Sequence, residues 1–198
     1  MQYDDQTNEY TDDDGNVIEL AALLLLIDRL TNATKRQAKL LASKLESGAI
    51  SFEQWQSSMI SLLKSAHITA AATGRGGLDR LTANDWGRIE KKVTWQASYL
   101  PRFGAAIAAG AVAGAALLRR AASYGSSPYI SFSDARMEAA KATGKPMLCR
   151  LVQNSKEGCS ECTADAESGW MPVDDMGELG SRICGDFCLC FVEFSDEV

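Results

Sequence analysis

Five of the chain's six cysteines fall near its end, as Cys159, Cys162, Cys184, Cys188 and Cys190 in the pattern C-x2-C-x21-C-x3-C-x-C. A two-residue spacer lets Cys159 and Cys162 address one metal ion from a single tight turn. A second cysteine group some twenty residues on can then close the shell from a distant segment. Such a site crosslinks a stretch too short to hold itself shut by packing. Four sulfurs complete a closed tetrahedral shell, and the ion that a structural thiolate set of this kind takes is Zn²⁺. Five are on offer, so the expected ligands are Cys159, Cys162, Cys184 and Cys188, with Cys190 as the alternate fourth and one thiol left over. Two disulfides and a spare thiol are the competing arrangement. Against it, the first residues lack the basic start, apolar run and small-residue cleavage site of a secretory leader. A catalytic metal would want an open position and usually His or carboxylate ligands, whereas the single histidine, His67, is far away in sequence.

Charge is distributed unevenly. The formal net charge is −6, and Asp4, Asp5, Glu9, Asp12, Asp13 and Asp14 account for it within residues 1–16, which hold no Lys or Arg. The remainder is neutral overall, which argues against the broad basic face of a nucleic-acid-binding protein. A block of like charge reads as a solvated arm, or as a tail that orders on a basic partner.

From residue 17 to 145 the pattern is helical, so the expected fold is mainly α: an extended helical body followed by a small cysteine-rich zinc-knuckle β element over 146–198. The apolar run ELAALLLLIDRL predicts a first helix ending near Thr31 and Asn32, and a second helix stopping at Gly48. The seven-residue run AALLLLI is too short to cross a bilayer. It suits a core helix or one packed on a partner subunit. Ser51 and Gln54 form a capping-box pair ahead of Phe52, Trp55, Met59, Leu62, Leu63 and Ile68, a stripe that reads as core. His67 within it reads as a satisfied interior or surface residue. Gly74, Gly76 and Gly77 lack the context of a phosphate-binding loop and predict an interhelical hinge. Thr82 or Asn84 caps the next helix, which Pro101 ends or kinks.

Residues 103–118, FGAAIAAGAVAGAALL, contain Gly110-x3-Gly114. In lipid that spacing favours helix pairing, but the run falls short of the roughly 20 residues a span needs and is mostly alanine. It predicts a helix whose small face lets another helix, or another copy, approach closely. A loose link through SYGSSPYISFS then leads to a short helix around Asp134–Thr143. PMLCRLVQ and CGDFCLCFVEF predict two strands flanking the cysteine knuckle. No paired carboxylates or nucleophile–base set is in view, so a non-enzymatic role is expected.

The succession FEQWQSSMISLLKSAHITAAATGRGG, LTANDWGRIEKKVTWQASYLPRF, CSECTADAESGWMP and CGDFCLC resembles the Mu-F-like minor head (head morphogenesis) proteins of tailed bacteriophages. Over roughly residues 50–194 the blocks correspond to that family's helical body, its C-x-x-C followed by a Gly-Trp-x-Pro-like turn at Gly169–Pro172, and its terminal knuckle at Phe187–Cys190. Leu189 stands where the family often has Arg, and the first fifty residues lie outside the resemblance. The resemblance implies a virion or assembly protein of the phage head, made in the bacterial cytoplasm and associating with the portal or major capsid protein. The helical runs and neutral body add the expectation of self-association or multi-copy assembly, with no membrane and against nucleic acid. A capsid decoration protein, and a zinc-module adaptor binding nucleic acid or a host protein, are the alternatives.

Overall fold

A computed structural model describes residues 1–7, 9–144, 147–153, 159–185, 188 and 190–195. The fold is mainly helical, with a small sheet at each end of the chain. Pro146, Phe187 and Leu189, which entered the sequence reading, lie outside the described residues.

The first helix, α1, runs unbroken from Leu20 to Glu46. The expected break at Thr31 and Asn32 does not occur, because helix propensity costs those residues only a few tenths of a kcal/mol each. Thr31 lies on the same buried stripe as Leu23, Ile27, Thr34, Ala38 and Ala42. Thr34 Oγ1 meanwhile donates to the Leu30 carbonyl at 2.9 Å, so the hydroxyl is satisfied within the helix. Gly48 then turns the chain with φ of 72°.

Helix α2 (Phe52–Arg75) opens on the expected capping box. Ser51 Oγ accepts from the Gln54 amide at 3.2 Å, and Gln54 Oε1 accepts from the Ser51 amide at 2.9 Å. Its inward stripe tapers from Trp55, Met59 and Leu63 to Ala66, Ala70 and Gly74. The taper is where α6 (Pro128–Ala142) crosses, and among the described residues these two helices share the most extensive helix–helix contact. A β-carbon on Gly74 would sit 2.4 Å from the Phe132 carbonyl oxygen and 2.9 Å from Ala135 Cβ. Gly74→Val should therefore push the two helices apart and cost about 2–3 kcal/mol, the upper part of the overpacking range. The midpoint of urea unfolding measures it, and an unchanged midpoint would mean the pair has slack.

Helix α6 starts at Pro128, six residues before the expected onset, and the preceding link is a 3₁₀ turn at Tyr124–Ser126. The reason it escapes pattern reading is burial on nearly every side. Tyr129, Ile130, Phe132 and Met137 face neighbours in different directions, so no amphipathic period survives. Pro128 at its first turn is the one local signal.

The acidic segment is not a solvated arm. Residues 2–18 form an antiparallel meander of β1 (Gln2–Asp4), β2 (Glu9–Thr11) and β3 (Val17–Ile18). Tyr3 pairs with Tyr10 across the first hairpin, and both are buried against α1, α2 and α6 while the carboxylates alternate outward. The Tyr10 hydroxyl donates to the Gly74 carbonyl at 2.5 Å, and Arg80 donates to the Tyr3 carbonyl and pairs with Asp5. The expected hinge at Gly74–Gly77 is thus a landing site. Gly76, with φ of 79°, caps α2 and leaves no room for a side chain against the Tyr3 backbone.

Helix α3 (Ala83–Ala97) carries a second capping box, Thr82 with Asp85. Residues 103–118 are not one helix: α4 (Leu100–Ala108) and α5 (Gly114–Ser123) are separated by a turn in which Gly110 and Gly114 take φ of 67° and 54°. Gly110, in the left-handed region, ends α4 cheaply, and Gly114 opens α5. Of the small residues in this run only Gly104 is buried, directly on the Phe52 and Trp55 rings; Ala105, Ala108, Ala109, Ala111, Ala113, Ala115 and Ala116 are exposed. Among the described residues no helix is long and apolar enough to cross a membrane.

His67 is wholly buried between α2 and α6, with Nδ1 2.7 Å from Ser131 Oγ and Nε2 3.2 Å from Ser127 Oγ. Burial, with the Lys92 charge adding to it, lowers its pKa to about 4. The folded state therefore resists a proton that the unfolded chain accepts near 6.5. The stability tied to neutral His67 is complete above pH 6.5 and is lost as pH falls through 4. It amounts to roughly 3 kcal/mol over that window. His67→Gln should flatten the pH dependence of the denaturation midpoint across it; an unchanged slope would sink this assignment.

Candidate metal centre

The C-terminal sheet has order β5-β4-β6, from Met171–Pro172, Leu148–Val152 and Phe191–Ser195, one strand more than expected. Strand β4 pairs antiparallel with both neighbours, and Cys149 sits opposite Met171 on one side and Phe194 on the other. The sheet packs on α6. Arg136 of that helix donates to the Val192 carbonyl at 2.9 Å, and Ile130, Met137 and Ala140 share a core with Cys162, Cys188 and Cys190. The module is therefore built onto the helical body.

Helix α7 (Ser160–Glu167) starts at the knuckle. Cys159 is its N-cap in extended conformation, and its Sγ accepts from the Cys162 amide at 3.4 Å. Cys162 stands one turn in and is fully buried. The chain then passes the turn at Gly169, with φ of 73°, and pairs β5 with β4. Trp170 stays half-exposed with the Arg150 guanidinium 4.9 Å from its ring centre. Residues 173–185 return the second cysteine group to α7.

Two sulfur separations define the centre. Cys162 Sγ lies 3.6 Å from Cys184 Sγ and 3.8 Å from Cys188 Sγ. Sulfurs at tetrahedral corners about 2.3 Å from a zinc ion are about 3.8 Å apart, so both distances fit edges of one coordination shell. They are far longer than a disulfide, and all six cysteines are free thiols. Two groups have all ligand atoms mutually within 4.8 Å: Cys159, Cys162 and Cys184, and Cys162, Cys188 and Cys190. All five cysteines named from the sequence thus converge, with Cys162 common to both groups, and the cluster can hold a metal ion. Cys149 does not join them. It is buried in β4, where burial lifts its thiol to about 11. His67, inside the helical body, also stands apart.

Ionising this cluster calls for a cation. Burial and the neighbouring thiols push Cys184 up to about 12 and raise Cys162 as well. For Cys188 the contact with Cys190 leads, with burial behind it, again upward. At Cys159 burial opposes ionisation, but the contacts with the Cys162 amide and with Cys184 prevail and bring it to about 7. Packed sulfurs cannot shed their protons together without a compensating positive charge, and a bound dication supplies it.

The residues that hold the two halves in register are not cysteines, and the spacing gave no sign of them. Glu161 Oε2 accepts from the Ile183 amide at 2.6 Å, beside Cys184. Arg182, on the other side of Ile183, pairs with Asp165 of α7 and donates to the Glu178 carbonyl at 3.0 Å. An acidic residue inside the knuckle and a basic one two positions before the third cysteine were the available signals. Such supporting contacts orient the ligands of a metal site.

Comparison with family models, with curated proteins and with solved structures found no match to this chain.

Proposed function

We propose that the protein is a non-enzymatic minor head protein of a tailed bacteriophage, acting in head assembly beside the portal or major capsid protein, with Zn²⁺ as the ion in its cysteine centre. The family reading rests on the order of the sequence blocks over residues 50–194. The observation that carries the structural role is the all-sulfur centre joining Cys159 and Cys162 of α7 to the returning segment at Cys184–Cys190. A full thiolate shell has no open coordination position for substrate, the mark of a structural site. Four ligands from Cys159, Cys162, Cys184 and either Cys188 or Cys190 fix the sheet that leans on α6, so the helical body presents a rigid surface to a neighbour.

Quantitative mass spectrometry of particles of the phage that encodes the chain, scaled to portal and major capsid proteins, tests the placement. A ratio near the portal's supports it, a ratio near the capsid protein's favours a decoration role, and absence from particles refutes a virion protein. Elemental analysis of the purified chain tests the ion: one zinc per chain is expected, and iron or no metal would overturn that assignment.

A further inference from the structure

The largely buried cations of the molecule are paired, with one exception. Arg75 faces Asp85, Lys92 faces Asp134 and Arg182 faces Asp165. Arg136 of α6 is only 8% exposed and has no carboxylate partner among the described residues. Its Nη1 donates to the Val192 carbonyl, while its buried Nε has no hydrogen-bond partner among those residues. The ring centres of Phe194, Phe132 and Tyr10 lie 5.0, 5.5 and 6.0 Å from its Cζ. Aromatic faces ease the burial of a cation, but they carry no net charge. Tyr10 is neutral, its pKa raised by burial, and its hydroxyl donates to the Gly74 carbonyl. A guanidinium enclosed in this way still lacks an anion, and a buried charge without one is costly.

Arg136 lines a cleft of about 350 Å³ between the first turn of α1, α6 and the C-terminal sheet. Most of the wall is apolar, from Leu20, Met147, Phe194 and the half-exposed Trp170. The single carboxylate of the lining, Glu193, is already engaged by Arg150, which donates to it from Nε at 2.7 Å and lies 2.6 Å away at Nη2. An apolar cleft of this size with one convergent charged group has the form of a small-molecule site.

We propose that the cleft binds an organic monocarboxylate, with its carboxylate on Arg136 Nε and its aromatic or short aliphatic body against Trp170 and Met147. The charged hydrogen bond satisfies the orphaned donor, and the carboxylate supplies the missing counter-charge. Guanidinium matches carboxylate and phosphate alike. Glu193 on the rim decides between them, because a second negative charge on the ligand would meet it directly. The inference is independent of the head-protein reading and of which ion the cysteines hold.

Calorimetric titration of the full chain with 3-phenylpropionate tests it, with 3-phenylpropanol as the neutral control and phenyl phosphate as the dianion. The acid should bind with a submillimolar dissociation constant, and the alcohol and the phosphate at least about tenfold more weakly. Arg136→Met should weaken the acid at least about thirtyfold, the worth of a charged hydrogen bond, and leave the alcohol unchanged. Arg136→Lys keeps the charge without the planar edge and should fall between the two. Should Arg136→Met fail to fold, the wild-type chain decides alone: the Arg136 Nε–H resonance should shift with the acid and stay still with the alcohol. Equal affinity for acid and alcohol, a folded Arg136→Met protein that binds the acid as the wild type does, or an Nε–H resonance indifferent to the acid would each overturn the proposal.

Discussion

Cys162→Ser is expected to abolish metal binding and to loosen the C-terminal module while the helical body stays folded. Cys162 belongs to both sulfur groups and lies within 3.8 Å of Cys184 and Cys188, so its loss breaks both groups at once. Binding of structural zinc is worth about 10–16 kcal/mol at neutral pH, and it is folding energy for the segment that it crosslinks. Without it, β4 and β6 keep five paired positions and their packing on α6, too little for a short sheet to stay shut. Hydrogen exchange should accelerate across 147–195 and leave Trp55, Leu63 and Phe132 protected. Cys190→Ser, by contrast, should retain the ion, since Cys159, Cys162, Cys184 and Cys188 remain. A Cys162→Ser protein that still carries one metal per chain would show that the centre is organised differently.

Asp85→Ala is expected to cost about 3–5 kcal/mol, the range for stripping a buried charge of its partner. The Arg75 guanidinium meets the Asp85 carboxylate through two bonds of 2.9 and 3.1 Å, and both side chains are nearly solvent-free. The same carboxylate accepts from the Thr82 amide and hydroxyl at 2.8 and 2.7 Å, so it also starts α3. Alanine leaves a cation at the end of α2 with no counter-charge and breaks the cap in one step. Arg75→Met/Asp85→Leu should recover much of the loss, because a matched apolar pair orphans neither group. Chemical denaturation of the two variants decides it. Equal destabilisation of single and double variants would show that the cap, and not the buried charge, is the main contributor.

Much of the local structure was legible. The capping boxes at Ser51–Gln54 and Thr82–Asp85 are interactions across three residues. The Trp55, Met59 and Leu63 stripe needs only the helical period to be seen. The convergence of Cys159, Cys162 and Cys184–Cys190 was legible because few other chemistries call for that spacing. The meander left a fainter trace: Tyr3 and Tyr10 among outward carboxylates carry period-two burial, but the count of negative charges outweighed it.

What the sequence determined by itself was therefore where α2 and α3 begin, which face of α2 turns inward, and that the cysteines near the end of the chain converge. The tertiary structure decided that α1 runs through Thr31, that residues 103–118 divide at two glycines, that α6 is the most enclosed helix, and that Cys162 joins both sulfur groups. The division has a physical cause. Caps and stripes are set by residues within a turn or two of one another. The room beside Gly74 depends on Phe132 and Ala135, and the landing of Tyr3 depends on Gly76, pairs about sixty to seventy residues apart whose contact exists only once the chain has packed.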